Sequence, residues 1–330
     1  MTLLVSKTKV DAAARRLAAA PAEANSEDEA LVDVWRELHA QPLQQVRESI
    51  ARRLDRAGVR APVVGRLKRK PQIVRKLGVS STRLTQMQDI GGCRAVMKSP
   101  MMVDSALDRI RSRAAPHYEV DRVSDYRDEG RTGTVYRALH LVLVKNERSI
   151  EVQLRTNRQH AWAEGVERIG TLLDCDLKWG KGPAEAVDFF ELASHLFWSL
   201  ENGKNPAPQD RTALRRRNVA LDLLVEDSNS HGSSTSKISP KSTRTTGTNL
   251  WLVIYNWEKA EFEKWMDLGT RVSEANAIYS RYEREYSTDE GYEVVLIGAD
   301  SPESFEITHS HYFAKSRADI DPHGFFEEIL

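Results

Sequence analysis

The chain has 330 residues, of which 40% are hydrophobic, so it is long enough for two or three domains and can bury a sizeable core. Lys plus Arg and Asp plus Glu both number 48, so no global charge favours nucleic acid or a membrane surface, and any basic site must be local. The two cysteines, Cys93 and Cys175, exclude a disulfide framework and a cysteine-rich zinc site. The sequence shows neither a signal-peptide core nor a run that spans a bilayer, so we expect a soluble cytoplasmic protein without membrane contact.

Helical spacing dominates the first part of the chain. Residues 1–25 are Ala-rich and interrupted by proline, and they predict a loose or partly helical lead-in. Ser26 can cap a first core helix, and a second apolar stripe runs over residues 43–58. Residues 62–79 then carry dense positive charge, which is typical either of a solvated surface or of a phosphate-binding patch.

The middle of the chain alternates between strands and helices. Residue spacing predicts, in order, a helix end and a strand over 84–96, a helix over 103–110, a strand over 118–123, a loop over 125–137, a hairpin of strands over 139–145 and 150–155, and helices over 162–173, 189–200 and 211–226, the last of them basic. This order predicts a sheet whose strands are separated by helices.

The last third of the chain begins with a change in composition. Residues 227–248 are rich in Ser and Thr and predict a linker, because such a composition cannot bury a core. Strands over 250–255 and 292–298, with helices over 275–286 and 301–313, then predict a small α/β module over residues 249–330.

Two acids stand beside predicted strands. Asp89 precedes a strand in the run MQDIGGCR, and Glu151 lies on the polar face of a strand that also carries Gln153 and Arg155. If the two strands are neighbours, both carboxylates can reach one Mg²⁺ ion, which prefers one or two carboxylates together with phosphates and water. Acid pairs on adjacent strands are also common in ordinary cores, so both interpretations stay open.

The basic run has the groups that a nucleoside triphosphate needs. Its candidates for one polyphosphate are Arg66, Lys68 and Lys76. Further along, Tyr136 can stack on a second base, and Arg137 and His140 can meet the phosphates of that nucleotide. Taken singly, each residue is equally consistent with a surface charge, a strand-edge aromatic or a core histidine.

Four motifs combine these residues in a specific order. They are GRLKRKPQIVRKL, MQDIGGCRAV, DYR…VYRALHLVL and IEVQLRTNRQHAWAEGVE, within residues 26–225. This order resembles the synthetase domain of the RelA/SpoT family. The resemblance implies an α/β (α+β) fold, with a nucleotidyltransferase-like mixed β-sheet flanked by helices over residues 26–226. It also implies transfer of pyrophosphate from ATP to the 3′-hydroxyl of GDP or GTP, which gives the stringent-response alarmones ppGpp and pppGpp.

The resemblance assigns a role to each motif residue. Asp89 and Glu151 are implied to be the Mg²⁺ ligands, with Glu151 close enough to activate the attacking hydroxyl. The implied ATP-binding set is Arg66, Lys68, Lys76 and Arg94. The implied acceptor-binding set is Arg131, Tyr136, Arg137, His140, Gln153 and Arg155.

Two departures from the family pattern affect these expectations. The acceptor loop reads DYRDEGRTGTVY, with Arg127 where an apolar residue is usual, Gly130–Arg131 in place of Pro–Lys and Val135 in place of glycine. No His–Asp dipeptide occurs, and about 60 residues before the basic run are too few for the family's hydrolase domain, so we do not expect alarmone hydrolysis.

Three functions remain open. The first is a short, single-synthetase alarmone enzyme, which family precedent would allow to be a homo-oligomer. The second is a toxin-type relative that pyrophosphorylates the 3′ end of tRNA, with the basic helix over 211–217 on RNA phosphates and residues 249–330 as antitoxin or phage sensor. The third is a non-catalytic nucleotide-binding module, against which the presence of both Asp89 and Glu151 argues.

Overall fold

The computed structural model describes residues 5–20, 25–112, 117–228, 249–257, 259, 261–286, 291–309 and 326–330. The predicted linker lies almost entirely outside these ranges, as does the end of the last predicted helix, residues 310–313. Within them, no helix is both long enough and apolar enough to cross a bilayer. Cys93 and Cys175 are free.

Ten α-helices and eight strands are formed by the described residues. In chain order they are α1 (Lys7–Ala19), α2 (Ser26–Glu37), α3 (Ala40–Arg56), β1 (Val63–Leu67), α4 (Lys70–Val79), β2 (Gly91–Met97), α5 (Pro100–Ser112), β3 (Glu119–Asp125), β4 (Leu139–Lys145), β5 (Arg148–Thr156), α6 (Asn157–Leu172), α7 (Ala184–Glu201), α8 (Pro208–Ser228), β6 (Asn249–Asn256), β7 (Glu261–Asp267), α9 (Val272–Glu285), β8 (Tyr292–Ala299) and α10 (Pro302–Thr308). Short 3₁₀ turns cover Leu84–Gln86 and Leu177–Trp179.

All eight strands belong to one mixed sheet, in the order β3-β4-β5-β2-β1-β8-β6-β7. The β2–β5 pair is parallel, and the other neighbouring pairs are antiparallel. The predicted hairpin over 139–155 is confirmed, and its turn places Asn146 and Glu147 at positive φ, as a tight hairpin turn requires. The predicted mixed sheet flanked by helices is therefore present.

The C-terminal strands extend that sheet, whereas the sequence predicted a small module of its own. β8 pairs with β1, placing Gly65 opposite Gly298 and Arg66 opposite Ile297. Neither β1 nor β7 was predicted from the sequence. β1 lies inside the basic run over residues 62–79, which was interpreted only by its charge. The domain boundaries proposed above remain a prediction, but the strands on either side of residues 229–248 form one hydrogen-bonded sheet.

Within the predicted loose or partly helical lead-in, the structure describes residues 5–20, and most of them are helical. Residues Lys7–Ala19 form α1, whose buried side includes Val10, Ala14 and Leu17. These side chains join a core cluster with Trp35 of α2 and Ile73 of α4. The apolar spacing within the Ala-rich run thus forms a helix because α2 and α4 cover one side of it.

The period of two along each strand divides its side chains between the two faces of the sheet. On one face, β5 contributes Ile150, Val152 and Leu154 to a core under α3 and α5. On the other face, Glu151, Gln153 and Arg155 lie on the side that α6 and α10 flank. Every polar candidate of the central strand therefore belongs to this second face.

Candidate active site

The parallel pairing of β2 with β5 brings the two predicted acids to one part of the sheet. Glu151 pairs with Gly92, and Asp89 lies three residues before Gly92. The two strands are neighbours, which meets the condition stated above for a shared ion. At Gly91 a Cβ would lie 2.7 Å from Cδ1 of buried Ile150, so a larger residue there would force the Ile150 side chain to move.

Asp89 is bound by two lysines from different elements. Lys68, just after β1, places Nζ 3.0 Å from Oδ2 of Asp89, and Lys76 of α4 places Nζ 2.9 Å from both carboxylate oxygens. The strand register fixes Lys68, whose backbone N–H donates to the carbonyl of Ile90. Burial favours the neutral acid, but the two ammonium groups outweigh it and hold the pKa of Asp89 below its usual range. The negative charge of Glu151 acts in the opposite direction and raises the pKa of Asp89.

A hydrogen-bonded ring connects Glu151 to four other side chains, and we call it the Glu151 ring. His140 Nδ1 donates to Oε1 of Glu151 at 3.1 Å, and His140 Nε2 lies 2.7 Å from the hydroxyl of Tyr136. Arg155 Nη2 donates to that hydroxyl and to Oε1 of Gln153, both at 2.8 Å. Gln153 Nε2 closes the ring by donating to Oε2 of Glu151 at 2.7 Å.

The Glu151 ring favours the charged form of Glu151. Burial alone would raise the pKa of this carboxyl, but the hydrogen bonds from His140 and Gln153 outweigh it and hold the pKa well below its usual range. Burial lowers the pKa of His140, and its two partners, Tyr136 and Glu151, more than compensate and raise it. Burial raises the pKa of Tyr136, but Arg155 and His140 lower it to about 8.

A two-carboxylate arrangement can suit magnesium. The described residues contain no group of three or more His, Cys, Asp or Glu placed to bind a metal ion. Asp89 and Glu151 are both partly exposed, at 19% and 23% of their side chains. Because Mg²⁺ takes much of its coordination from phosphates and water, two accessible carboxylates, one on β5 and one just before β2, fit this ion.

Comparison with known proteins gives a family match that falls on these elements. Residues 65–169 match the region found in RelA/SpoT proteins. The chain carries a RelA/SpoT region. No curated protein sequence matches it.

Similar solved structures include three small alarmone synthetase structures from Bacillus subtilis. Synthetase 2 is 18% identical, and the match covers 50% of this chain and 93% of that one at a TM-score of 0.41. Synthetase 1 is 19% identical, with 58% and 99% covered at a TM-score of 0.40. Synthetase 1 bound to its product pppGpp is 22% identical, with 43% and 74% covered at a TM-score of 0.34.

The RelA/SpoT region contains all of the predicted site residues but does not bring them all together. Asp89, Lys68 and Lys76 form one cluster. The Glu151 ring unites four of the six predicted acceptor-side residues around Glu151, namely Tyr136, His140, Gln153 and Arg155. The two groups are neighbours because β2 pairs with β5, which places Gly92, three residues after Asp89, beside Glu151.

Both arginines of the predicted ATP-binding set lie on the same face as Glu151. Arg66 lies on β1 and is close enough to Arg94 for its charge to act on it. Arg94 Nη1 donates to Oε1 of Glu164 at 3.0 Å and to the carbonyl of Thr308 at 2.6 Å. Arg94 is thus held between α6 and the end of α10.

Three acceptor-side predictions differ from the positions in the structure. Tyr136 is only 5% exposed, with its ring 6.2 Å from that of Trp162, so neither face is open for a base. Arg137 donates to the carbonyls of Arg127 and Asp128 and to Ser194, so it fixes the loop instead of facing Glu151. Arg131 lies over the ring of Trp179.

Sequence reasoning missed three residues that the RelA/SpoT region and its surroundings bring to this face. Glu164 lies on α6, the helix that follows β5, and it pairs with Arg94. Its position one helical turn after His160 is a sequence pattern that could have indicated a role for it. Lys178 and Trp179 occupy a 3₁₀ turn that no motif marked. The charge of Lys178 nevertheless acts on both Lys68 and Tyr136.

Proposed function

We propose that this protein transfers pyrophosphate from ATP to the 3′-hydroxyl of GDP or GTP and so makes ppGpp or pppGpp. The observation that supports this most is the pairing of β2 with β5 inside the RelA/SpoT region. It sets a lysine-bound carboxylate, Asp89, beside a second carboxylate, Glu151, that is kept charged. The family match supports a pyrophosphotransferase of this kind.

The lysine cluster is suited to the donor nucleotide. Phosphoryl-type transfer needs positioned reactants and neutralised charge more than covalent chemistry. Lys68 and Lys76 are 25% and 39% exposed, and both form ion pairs with Asp89. When a polyphosphate binds, the same ammonium groups can form ion pairs with its oxygens. Asp89 and Glu151 would hold Mg²⁺, which supplies charge neutralisation at the phosphates when it is bound.

Glu151 is suited to receive the proton of the acceptor hydroxyl. In the proposed step this hydroxyl attacks the β-phosphorus of ATP, the bond from that phosphorus to the α-phosphate oxygen breaks, and AMP leaves. The hydroxyl proton passes to Glu151, whose two oxygens are oriented by His140 and Gln153. Because the ring keeps this carboxylate ionised across the neutral pH range, it is in the form that accepts a hydrogen bond from the hydroxyl and takes its proton as the new bond to phosphorus forms.

Transfer to the 3′ end of tRNA is the second candidate. Arg215 and Arg216 are exposed on α8, where they can contact RNA phosphates. The acceptor loop between β3 and β4 also departs from the family pattern. In this alternative, residues 249–330 would act as antitoxin or phage sensor.

A transfer assay separates the two candidates. ATP labelled on its terminal phosphate is incubated with Mg²⁺ and with GDP, GTP or tRNA as separate acceptors. Label on GDP or GTP establishes alarmone synthesis, whereas label on tRNA alone refutes it and supports the second candidate. No label on any acceptor contradicts both.

Conservative variants test the assigned residues. Asp89→Asn and Glu151→Gln should each lower transfer at least ~10²-fold, the cost of losing one preorganised charge contact. Glu119→Gln, an exposed carboxylate on β3, is the matched control and should retain full activity. Full activity in either site variant would contradict the assignment.

A further inference from the structure

The donor-side lysines lie on either side of a corner in the chain. Lys68 follows β1, Lys76 belongs to α4, and both pair with Asp89. Arg69 and Lys70 lie where the chain passes from the strand into the helix, and we call this pair the β1–α4 corner. A shift of the β1–α4 corner would therefore change how the two ammonium groups meet a ligand.

Two cations lie at the unfavourable end of α4. Arg69 is the N-cap of this helix and makes no side-chain capping hydrogen bond, and Lys70 is the first helical residue. The N-terminus of a helix carries partial positive charge, so cations there are disfavoured unless carboxylates lie beside them. The β1–α4 corner therefore depends on acids from other elements.

One of these acids comes from β8. Arg69 Nη1 lies 2.7 Å from Oε2 of Glu293, whose side chain is only 2% exposed. The indole Nε1 of Trp257 donates to the same oxygen at 3.1 Å and so orients the carboxylate. A buried ion that loses its partner is strongly disfavoured, so Glu293 fixes the position of Arg69.

The other acids reach the corner through α2. Lys70 Nζ lies 2.8 Å from Oδ2 of Asp33 and 3.3 Å from Oε2 of Glu29. Buried Arg36, one helical turn after Asp33, contacts Asp33 at 3.3 Å and donates to both carboxylate oxygens of Glu283, on α9, at 2.8 Å. Glu283 therefore acts on Lys70 through two residues of α2.

Both routes begin in the C-terminal segment. Glu283 and Glu293 lie outside residues 65–169, which match the RelA/SpoT region, whereas the β1–α4 corner lies inside them. The C-terminal segment therefore brings two carboxylates to the matched region from elsewhere in the chain.

We propose that Glu293 and Glu283 are positioning residues for the donor, and that the C-terminal segment thereby fixes the corner from which Lys68 and Lys76 bind the polyphosphate of ATP. This inference rests on the proposed function, because it concerns the donor of that transfer. Each acid acts through a cation of the β1–α4 corner. Loss of either acid should weaken the binding of ATP and leave the acceptor unaffected.

Steady-state transfer kinetics test this assignment. Glu293→Gln, which removes the charge at nearly constant shape, should raise the KM for ATP about 2- to 30-fold, the range for a residue that acts through its neighbours, and leave the acceptor KM unchanged. Arg69→Gln should do the same, and the double variant should be no worse than the more affected single variant, because both act through one ion pair. Glu274→Gln, in an exposed ion pair on α9, is the matched control. A purely structural role would lower kcat with the folded fraction and leave the KM for ATP unchanged, and that result would overturn the proposal.

A binding measurement separates this inference from the proposed function. The protein is titrated calorimetrically with α,β-methylene ATP and Mg²⁺, because the methylene bridge of this analogue cannot be broken by the transfer, and GDP is titrated separately. Weaker binding of the analogue to Glu293→Gln, with GDP binding unchanged, supports the proposal even where no acceptor receives label. If Glu293→Gln does not fold, Glu283→Gln is the second variant, since that carboxylate is 19% exposed. Unchanged affinity for the analogue in a folded variant, equal losses for the analogue and GDP, or no binding of the analogue by the natural protein refutes the proposal.

Discussion

Tyr136 should ionise near neutral pH, and the reason lies in the Glu151 ring. A tyrosine ordinarily titrates at about 10. Burial of Tyr136 opposes ionisation, but the Arg155 guanidinium 2.8 Å from its oxygen and the His140 ring bring the pKa down to about 8. That difference corresponds to about 3 kcal/mol in favour of the phenolate. Since the folded pKa is the lower one, this stabilisation is complete above about pH 10 and is lost as the pH falls through about 8.

Arg155→Met removes the main source of that stabilisation. We expect the pKa of Tyr136 to return to 10 or higher in this variant, and Arg155→Lys, which keeps a charge without the planar guanidinium, to give an intermediate value. Tyrosinate absorbance is followed against pH, and the curve of Tyr136→Phe is subtracted to isolate this one group. Circular dichroism confirms that each variant is folded.

Two outcomes would refute this reasoning. The first is a difference titration at 10 or above in the natural protein, which would mean that burial outweighs Arg155. The second is an unchanged midpoint in Arg155→Met, which would mean that the guanidinium is not the cause. Either result would remove the electrostatic basis for the Glu151 ring as an acceptor-side unit.

Three further predictions follow from other contacts. His140→Ala should raise the pKa of Glu151, because it removes the strongest group that opposes the effect of burial on this pKa. The acidic limb of the pH–rate profile for transfer should therefore move to higher pH, and an unchanged limb would contradict the prediction. Asp300→Ala should lower the free energy of unfolding, measured in urea, by about 1–3 kcal/mol, because fully buried Arg47 loses a charged partner at 3.0 Å. An unchanged urea midpoint would argue against this contribution. Deletion of residues 249–330 should give aggregated or unfolded protein by gel filtration, because β1 loses β8; a soluble monomer would disprove a structural role for these strands.

Periodicity and motif order were sufficient for the central part of the fold. The alternation at Ile150, Val152 and Leu154 predicted β5 and its buried face, and that face packs under α3 and α5. The same alternation placed Glu151, Gln153 and Arg155 on the opposite face, where all three join one hydrogen-bonded ring. Local patterns work here because a half-buried strand records its two environments in its own sequence.

Long-range pairing was not predictable in the same way. β1 is five residues long and lies inside the basic run over residues 62–79, whose charge dominated its interpretation. No local signal indicates that β8 pairs with it. The burial of Tyr136 depends on Trp162 and Arg155, which approach only in the folded chain. The exposure of Trp179 depends on a turn fixed by Arg75 and Leu177, so its placement beside Arg131 also required the structure.

The C-terminal strands bear on the site because they reach it from the far side of β1. Arg69, next to the donor-side Lys68, pairs with buried Glu293 of β8 at 2.7 Å. The carbonyls of Ile307 and Thr308, at the end of α10, accept hydrogen bonds from His160 and Arg94. These contacts hold Arg69 and His160, to which no substrate role is assigned, and also Arg94 of the predicted ATP-binding set, so the segment supports the site as well as reaching it. Point variants in these contacts are therefore a better test of regulation than removal of the whole segment, which would also take three strands from the sheet.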